Sequence, residues 1–295
     1  MKLFRPLTPL LLAALVPATL HADEHLWGYT RTAETLPKGE WELYYSNTFK
    51  IDKNTGQYLA WEFTPEIEYG ITHKLTASVE VIGFYHRFRD LPFDPYTDID
   101  RNKAVFGGFD INLKYNILST YKDPFGLAVG LAYEKRYHYR LDGAETDQDS
   151  VEPKIYLQKN FLDDTLVLAL SGGAEFERRY FADGTLEEEI SFDFALGVAY
   201  RFARNWYVGL EGRVQADFLE AGFNSFNDLK LGFNFQHGVY VGPSIHYGGK
   251  SWWFTIGLLT QAYGGPDRDE PSSDGGHNWD EHERLHVRVT IGFNF

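Results

Sequence analysis

The sequence has no cysteine and a single methionine. No disulfide framework and no thiolate metal site is available to it. Past the first residues it also lacks any unbroken apolar run long enough for a membrane helix. It has no basic surplus: 28 Lys and Arg stand against 42 Asp and Glu, a net charge of −14. Nucleic-acid binding needs a basic face, so nucleic acid is excluded as a partner. What remains is acidic, rich in aromatics at 17%, and patterned.

The N-terminus reads as an export signal over residues 1–22. Lys2 and Arg5 precede an apolar stretch from Leu10 to Val16, and small residues follow at Ala18 and Ala22. Cleavage is expected after Ala22, with Ala18 as the alternative, and residues 23–295 form one domain. Removing this leader leaves 26 basic residues against 42 acidic. The acids gather at Asp94 to Asp100, Asp142 to Asp149, Glu187 to Glu189 and Asp267 to Glu283, as solvated loops do. An exported chain without disulfides needs another source of stability, and a closed barrel supplies one by leaving no strand edge unpaired.

The alternation supports strands. Leu285, Val287, Val289, Ile291, Phe293 and Phe295 fall on one face of the last segment, and His286, Arg288, Thr290, Gly292 and Asn294 on the other. Twelve such segments are expected, near 38–51, 57–70, 74–87, 103–117, 125–140, 149–161, 165–181, 187–202, 206–218, 237–247, 251–263 and 284–295. The gaps after even-numbered segments are short. Those after segments three, nine and eleven are long, which matches the short periplasmic turns and longer outer loops of membrane barrels, the exception being the short first outer loop, Asp52 to Gly56. Both termini are then periplasmic. Residues 228–235 are ambiguous and are read as an outer extension of segments nine and ten; Asp23 to Pro37 is read as a short periplasmic lead-in.

An alternating last strand closing on Phe293-Asn294-Phe295 resembles the assembly signal of Gram-negative outer-membrane β-barrels. The stretch Gly242 to Gln261 resembles the penultimate hairpin of uncharacterised proteobacterial outer-membrane proteins, a porin-like family. The resemblance implies an all-β, transmembrane, antiparallel up-and-down barrel in contact with outer-membrane lipid and lipopolysaccharide. It also implies assembly by the barrel assembly machinery, with Phe293 and Phe295 as the signal. It carries over no active site. Aromatics at Trp41, Tyr69, Tyr115, Phe125, Phe161, Phe202, Trp206, Tyr247 and Trp252 fall at the expected periplasmic ends, as interface girdles do.

The inward faces carry charges of both signs: Glu40, Glu42, Glu62, Glu66, Glu68, Glu80, Glu134, Arg136, Arg213, Arg284 and Arg288. Closure brings the last strand beside the first, and the expectation is that Arg284 and Arg288 face Glu40 and Glu42 across that seam. Such a lumen is either a charged path for small solutes or a cross-braced filling. Ser244 with His246, and Ser78 with His86, are serines and histidines on inward faces, and two residues apart on one strand is not a triad spacing, so no catalytic residue is assigned. The segment His277 to Glu283, followed by His286, is a candidate for a divalent ion, but reads better as an acidic loop. No metal and no cofactor is assigned. The expected function is a narrow porin-like channel for a small solute of unknown identity; the alternative is a non-conducting structural or surface-interaction barrel.

Overall fold

The computed structural model describes residues 25–181, 184–223, 229–266 and 271–295. The export signal expected over residues 1–22 lies outside them. The strands are β1 (Trp41–Ile51), β2 (Gln57–Thr72), β3 (Leu75–Arg89), β4 (Arg101–Leu118), β5 (Gly126–His138) and β6 (Glu145–Phe161). They continue as β7 (Leu166–Tyr180), β8 (Leu186–Ala203), β9 (Trp206–Leu219), β10 (Phe233–Gly248) and β11 (Trp252–Gly265). A two-residue pair follows, β12 (Ser273–Asp274) and β13 (His277–Asn278), and then β14 (Leu285–Asn294). Each wall strand pairs antiparallel with its neighbours in sequence, and β14 pairs with β1 to close a twelve-stranded barrel. The ambiguous segment resolves as extension: Phe233 to Phe235 begin β10, and Lys230 bridges Gly222 beyond the wall.

The period-2 pattern becomes an outside and an inside. On β9, Val208, Leu210 and Val214 are exposed, while Glu211, Arg213 and Asp217 are buried. Leu131, Ile111, Val79, Leu196 and Ile256 extend the apolar exterior around the wall. An oily outer surface on a closed barrel with a charged interior is the inverse of a water-soluble protein, and its natural solvent is lipid.

One end of the barrel carries short turns and both ends of the wall. Here Trp41 packs on Tyr69 at 4.4 Å between ring centroids, and Trp206 and Trp252 each lie 5.0 Å from Tyr247. This is the expected aromatic girdle. The chain end is fastened into it, because Trp41 and Phe295 exchange backbone hydrogen bonds at 3.0 Å each way. The opposite end carries the long loops, and several fold inward. Tyr58, Phe88, Leu91, Phe93, Tyr96, Leu141 and Trp279 form an apolar cluster there, inside the mouth.

Candidate functional site: a charged lumen closed at both ends

The segment from His25 to Leu36 does not lie outside the barrel as a lead-in. It enters the lumen at the turn end and crosses it. The backbone groups of an irregular segment must find partners once buried, and the wall supplies them. Glu211 accepts from the amides of Gly28 (3.1 Å), Tyr29 (2.9 Å) and Thr30 (2.5 Å), and from the Thr30 hydroxyl (2.8 Å). Ser171 accepts from the Arg31 amide, Gln158 from the Ala33 amide and Thr76 from the Leu36 amide. Thr255 and Ser244 donate to the carbonyls of His25 and Leu26. Trp27 is 1% exposed, and its indole donates to the Val198 carbonyl at 3.2 Å.

Two wall glycines make room for that indole. A Cβ on Gly197 would overlap the Trp27 ring, and one on Gly209 would lie 2.8 Å from its Nε1. The wall is thinned where the ring sits, which is the reason for glycine inside otherwise regular strands.

Above this segment lies a cavity of about 280 Å³. Tyr29 and Arg31 form part of its lining, together with the acids Glu66, Glu68, Glu80, Asp110 and Glu152 and the bases Lys114, Lys154, Arg213 and Arg288; Lys154 pairs with Glu152 on its own strand at 2.9 Å. Arg213 holds Asp193 through two hydrogen bonds, of 2.9 and 2.5 Å, and its guanidinium lies 3.8 Å from the Tyr29 ring centroid. Arg288 lies over the same ring at 5.1 Å, and its Nε has no hydrogen-bond partner. Tyr44 donates to Glu66 and, at 3.2 Å, to Glu68, bracing two acids that would otherwise repel.

The loop end is closed around Lys53, whose side chain is fully buried. Its ammonium donates to the carbonyls of Trp279, Asp280 and His282 and lies 3.5 Å from Glu283. Burial pulls the Lys53 pKa down against the pull of Glu283, and the net direction is downward. Burial pushes the Glu283 carboxyl up, but Lys53 and the hydrogen bond with His286 outweigh it and hold it well below the usual range. His282 is lowered to about 3, chiefly by burial, and is therefore a neutral imidazole at pH 7.

The expected inward charges sort into layers. Glu66, Glu68, Glu80, Arg213 and Arg288 line the cavity. Glu62, paired with Lys50 at 3.5 Å, and the adjacent pair Glu134 and Arg136 are also partly buried on the interior side. Glu42 is buried near the turn end, where it accepts from the Trp253 indole. Glu40 precedes β1, its carbonyl receiving the Gly70 amide.

The expected seam pairing is overturned. The antiparallel register sets Glu42 opposite Asn294 and Thr48 opposite Arg288. Arg284 is at the other end of the barrel from Glu40 and Glu42. Its amide donates to the Asp52 carbonyl at 2.8 Å, its guanidinium lies 3.2 Å from the Asp52 carboxylate, and it belongs to the loop-end rim rather than the lumen. Strand direction decides this, because the start of β1 can meet only the end of β14. The seam is closed instead by backbone pairing and by Ser46 against Thr290 at 3.1 Å.

The serines and histidines considered for catalysis are separately engaged. Ser244 holds the Leu26 carbonyl and His246 bonds Thr255; Ser78 lines the cavity, whereas His86 bonds the Arg140 carbonyl. The face of Glu211 was legible from alternation. Its partner was not, since no pattern in residues 25–36 marks them as a lumen filling.

A closed antiparallel barrel with an apolar exterior and a charged, solvent-sized interior defines a transmembrane β-barrel protein. The chain belongs to a family of unknown function, DUF6662, whose model matches residues 19–295. Among solved structures it is similar to the COG4313 outer membrane channel from Pseudomonas putida F1, with a TM-score of 0.57 at 12% identity, covering 89% of this chain and 98% of that one. It is also similar to the NanC porin, with a TM-score of 0.50 at 11% identity, covering 85% and 98%. These likenesses are of fold. No curated protein matches the chain in sequence.

Proposed function

We propose that the protein is a narrow outer-membrane channel for small solutes, held closed in this conformation by its own N-terminal segment and its inturned loops. The observation that carries the reading is the mid-barrel cavity lined by charges of both signs. A barrel wall needs only to be covered in lipid and satisfied inside, and a tightly braced interior would leave no such space. A cavity lined by Arg213, Arg288, Glu66, Glu68 and Glu80 is suited to a small polar or charged solute. The solved channels of similar fold support the same reading.

In this reading residues 1–22 direct export and the short turns lie in the periplasm with both termini. Phe293 and Phe295 present the assembly signal to the barrel assembly machinery, and the exterior meets lipid and lipopolysaccharide. No chemistry is assigned to the lumen. A second reading, a non-conducting barrel, is favoured by the burial of Trp27 and Trp279 at 1% and 3%, one at each closure.

Planar-bilayer recording separates the two. The mature chain lacking residues 25–36 and carrying Lys53→Met, which frees the loop-end closure as well, is expected to show discrete conductance steps, with the intact chain silent or flickering. Silence from a truncated barrel that still shows heat-modifiable migration would favour the non-conducting barrel.

A further inference from the structure

We propose that the loop-end mouth binds one divalent transition-metal ion between Glu189, Asp217, Glu281 and His282. Glu189 comes from β8, Asp217 from β9, and Glu281 from the loop before β14. One carboxylate oxygen of each lies within 4.8 Å of those of the other two. Three carboxylates alone would be no more than an acidic cluster. The fourth group changes its character.

His282 is 3% exposed, and its Nε2 has no hydrogen-bond partner. That nitrogen is 4.0 Å from Asp217 Oδ2, which is also buried and without a hydrogen-bond partner. These two unpartnered atoms are too distant for a hydrogen bond. A tetrahedral ion bonded to both at about 2.0–2.2 Å would set them about 3.4 Å apart, so binding draws the two side chains together by about 0.6 Å. Orphaned buried polar atoms are costly, and an ion is a direct way to satisfy this pair.

The charge around the cluster points the same way. Arg140 pairs with Glu281 at 2.5 Å, while Arg179 pairs with Glu177 at 2.5 Å and Glu187 at 2.8 Å and reaches Glu189 only at 3.9 Å. Two guanidiniums thus face five carboxylates once Asp217 is included. Buried charge needs a counter-charge, and a divalent cation supplies it; shared protons are the competing way to balance the site. The donor set selects among cations, since imidazole with carboxylates suits zinc and its neighbours, whereas calcium and magnesium take oxygen ligands. Two ligands belong to the wall and two to the loop, so a bound ion would tie the loop across the mouth whether or not the barrel conducts.

The test is zinc titration of the metal-stripped, detergent-solubilised mature protein by calorimetry. One equivalent is expected to bind, raising the unfolding temperature, and a large excess of calcium should leave it in place. Asp217→Asn and His282→Gln should each weaken zinc by more than the roughly 10–100-fold lost when a mere supporting partner is removed, while Glu187→Gln on the same rim should not. Wild-type failure to bind, displacement by calcium, or undiminished zinc affinity in His282→Gln would overturn the site. If a variant fails to fold, cobalt absorption of the wild type decides: strong visible bands of a four-coordinate site support it, and the weak spectrum of the hydrated ion overturns it.

Discussion

Glu211 on β9 holds Thr30 of the N-terminal segment twice through one carboxylate oxygen, by the backbone amide at 2.5 Å and the hydroxyl at 2.8 Å. The same carboxylate also takes the amides of Gly28 and Tyr29. An acid 1% exposed on a barrel wall has thereby become the anchor of a segment that an extended reading of the sequence leaves outside. Replacing it by alanine should cost at least about 2 kcal/mol, the scale of hydrogen bonds to a buried charged group. Limited proteolysis in detergent is expected to cut residues 25–36 in Glu211→Ala and to spare them in the wild type; equal protection would show that the segment is held elsewhere.

Trp27 and Gly197 should behave as a pair. Gly197→Val places atoms where the indole sits, so it is expected to expel the segment and quench the burial of Trp27. Adding Trp27→Ala should recover much of the lost stability, because the clash goes with the ring. Additive destabilisation in the double variant would mean that the two do not share a site.

The lipid-facing wall predicts a contrast on one strand. Leu210 is 58% exposed on the exterior, while Gln215 lies on the inner face. Leu210→Arg places a charge in the bilayer at a cost of about 2–4 kcal/mol near its midplane. Refolding yield into lipid vesicles should fall well below that of Gln215→Arg, and equal yields would reverse the face assignment.

Arg288 tests the lumen. It pairs with Thr48 across the seam rather than with an acid, so Arg288→Gln should leave barrel closure intact. In a chain lacking residues 25–36 and carrying Lys53→Met, so that both closures are released, it should make the path more cation-selective, since Glu66, Glu68 and Glu80 remain. The shift in reversal potential should shrink as salt shortens the Debye length, about 10 Å at 0.1 M. An unchanged reversal potential would remove Arg288 from the path.

Lys53 is the post on which the last long loop turns. Lys53→Met strips Glu283 of its buried counter-charge and three carbonyls of a donor. A loss of about 3–5 kcal/mol is expected, the scale for breaking one side of a buried ion pair. Combining it with Glu283→Gln should restore part of the loss, as read by thermal unfolding.

Strand positions, their alternation, the girdle at Trp41, Trp206 and Trp252 and the sorting of short turns from long loops were all legible in the sequence. They follow from a period of two and from the solvents on either side of a wall, both of which act residue by residue. The same alternation puts Leu210 outside and Glu211 inside on β9. Other features depended on which distant residues closure brings together. Strand direction moved Arg284 to the rim beside Asp52 and set Arg288 opposite Thr48, a consequence of pairing geometry that composition does not encode. The lumen filling was equally hidden: residues 25–36 have no strand period, and their burial depends on partners as remote as Glu211, Gln158 and Gly197. The sequence by itself determined that the chain makes a lipid-facing wall, because burial in a bilayer is a local demand on each side chain. Only the tertiary structure decided what occupies the interior, because a carboxylate becomes an anchor, a pore charge or a ligand according to what closure sets within about 3 Å of it.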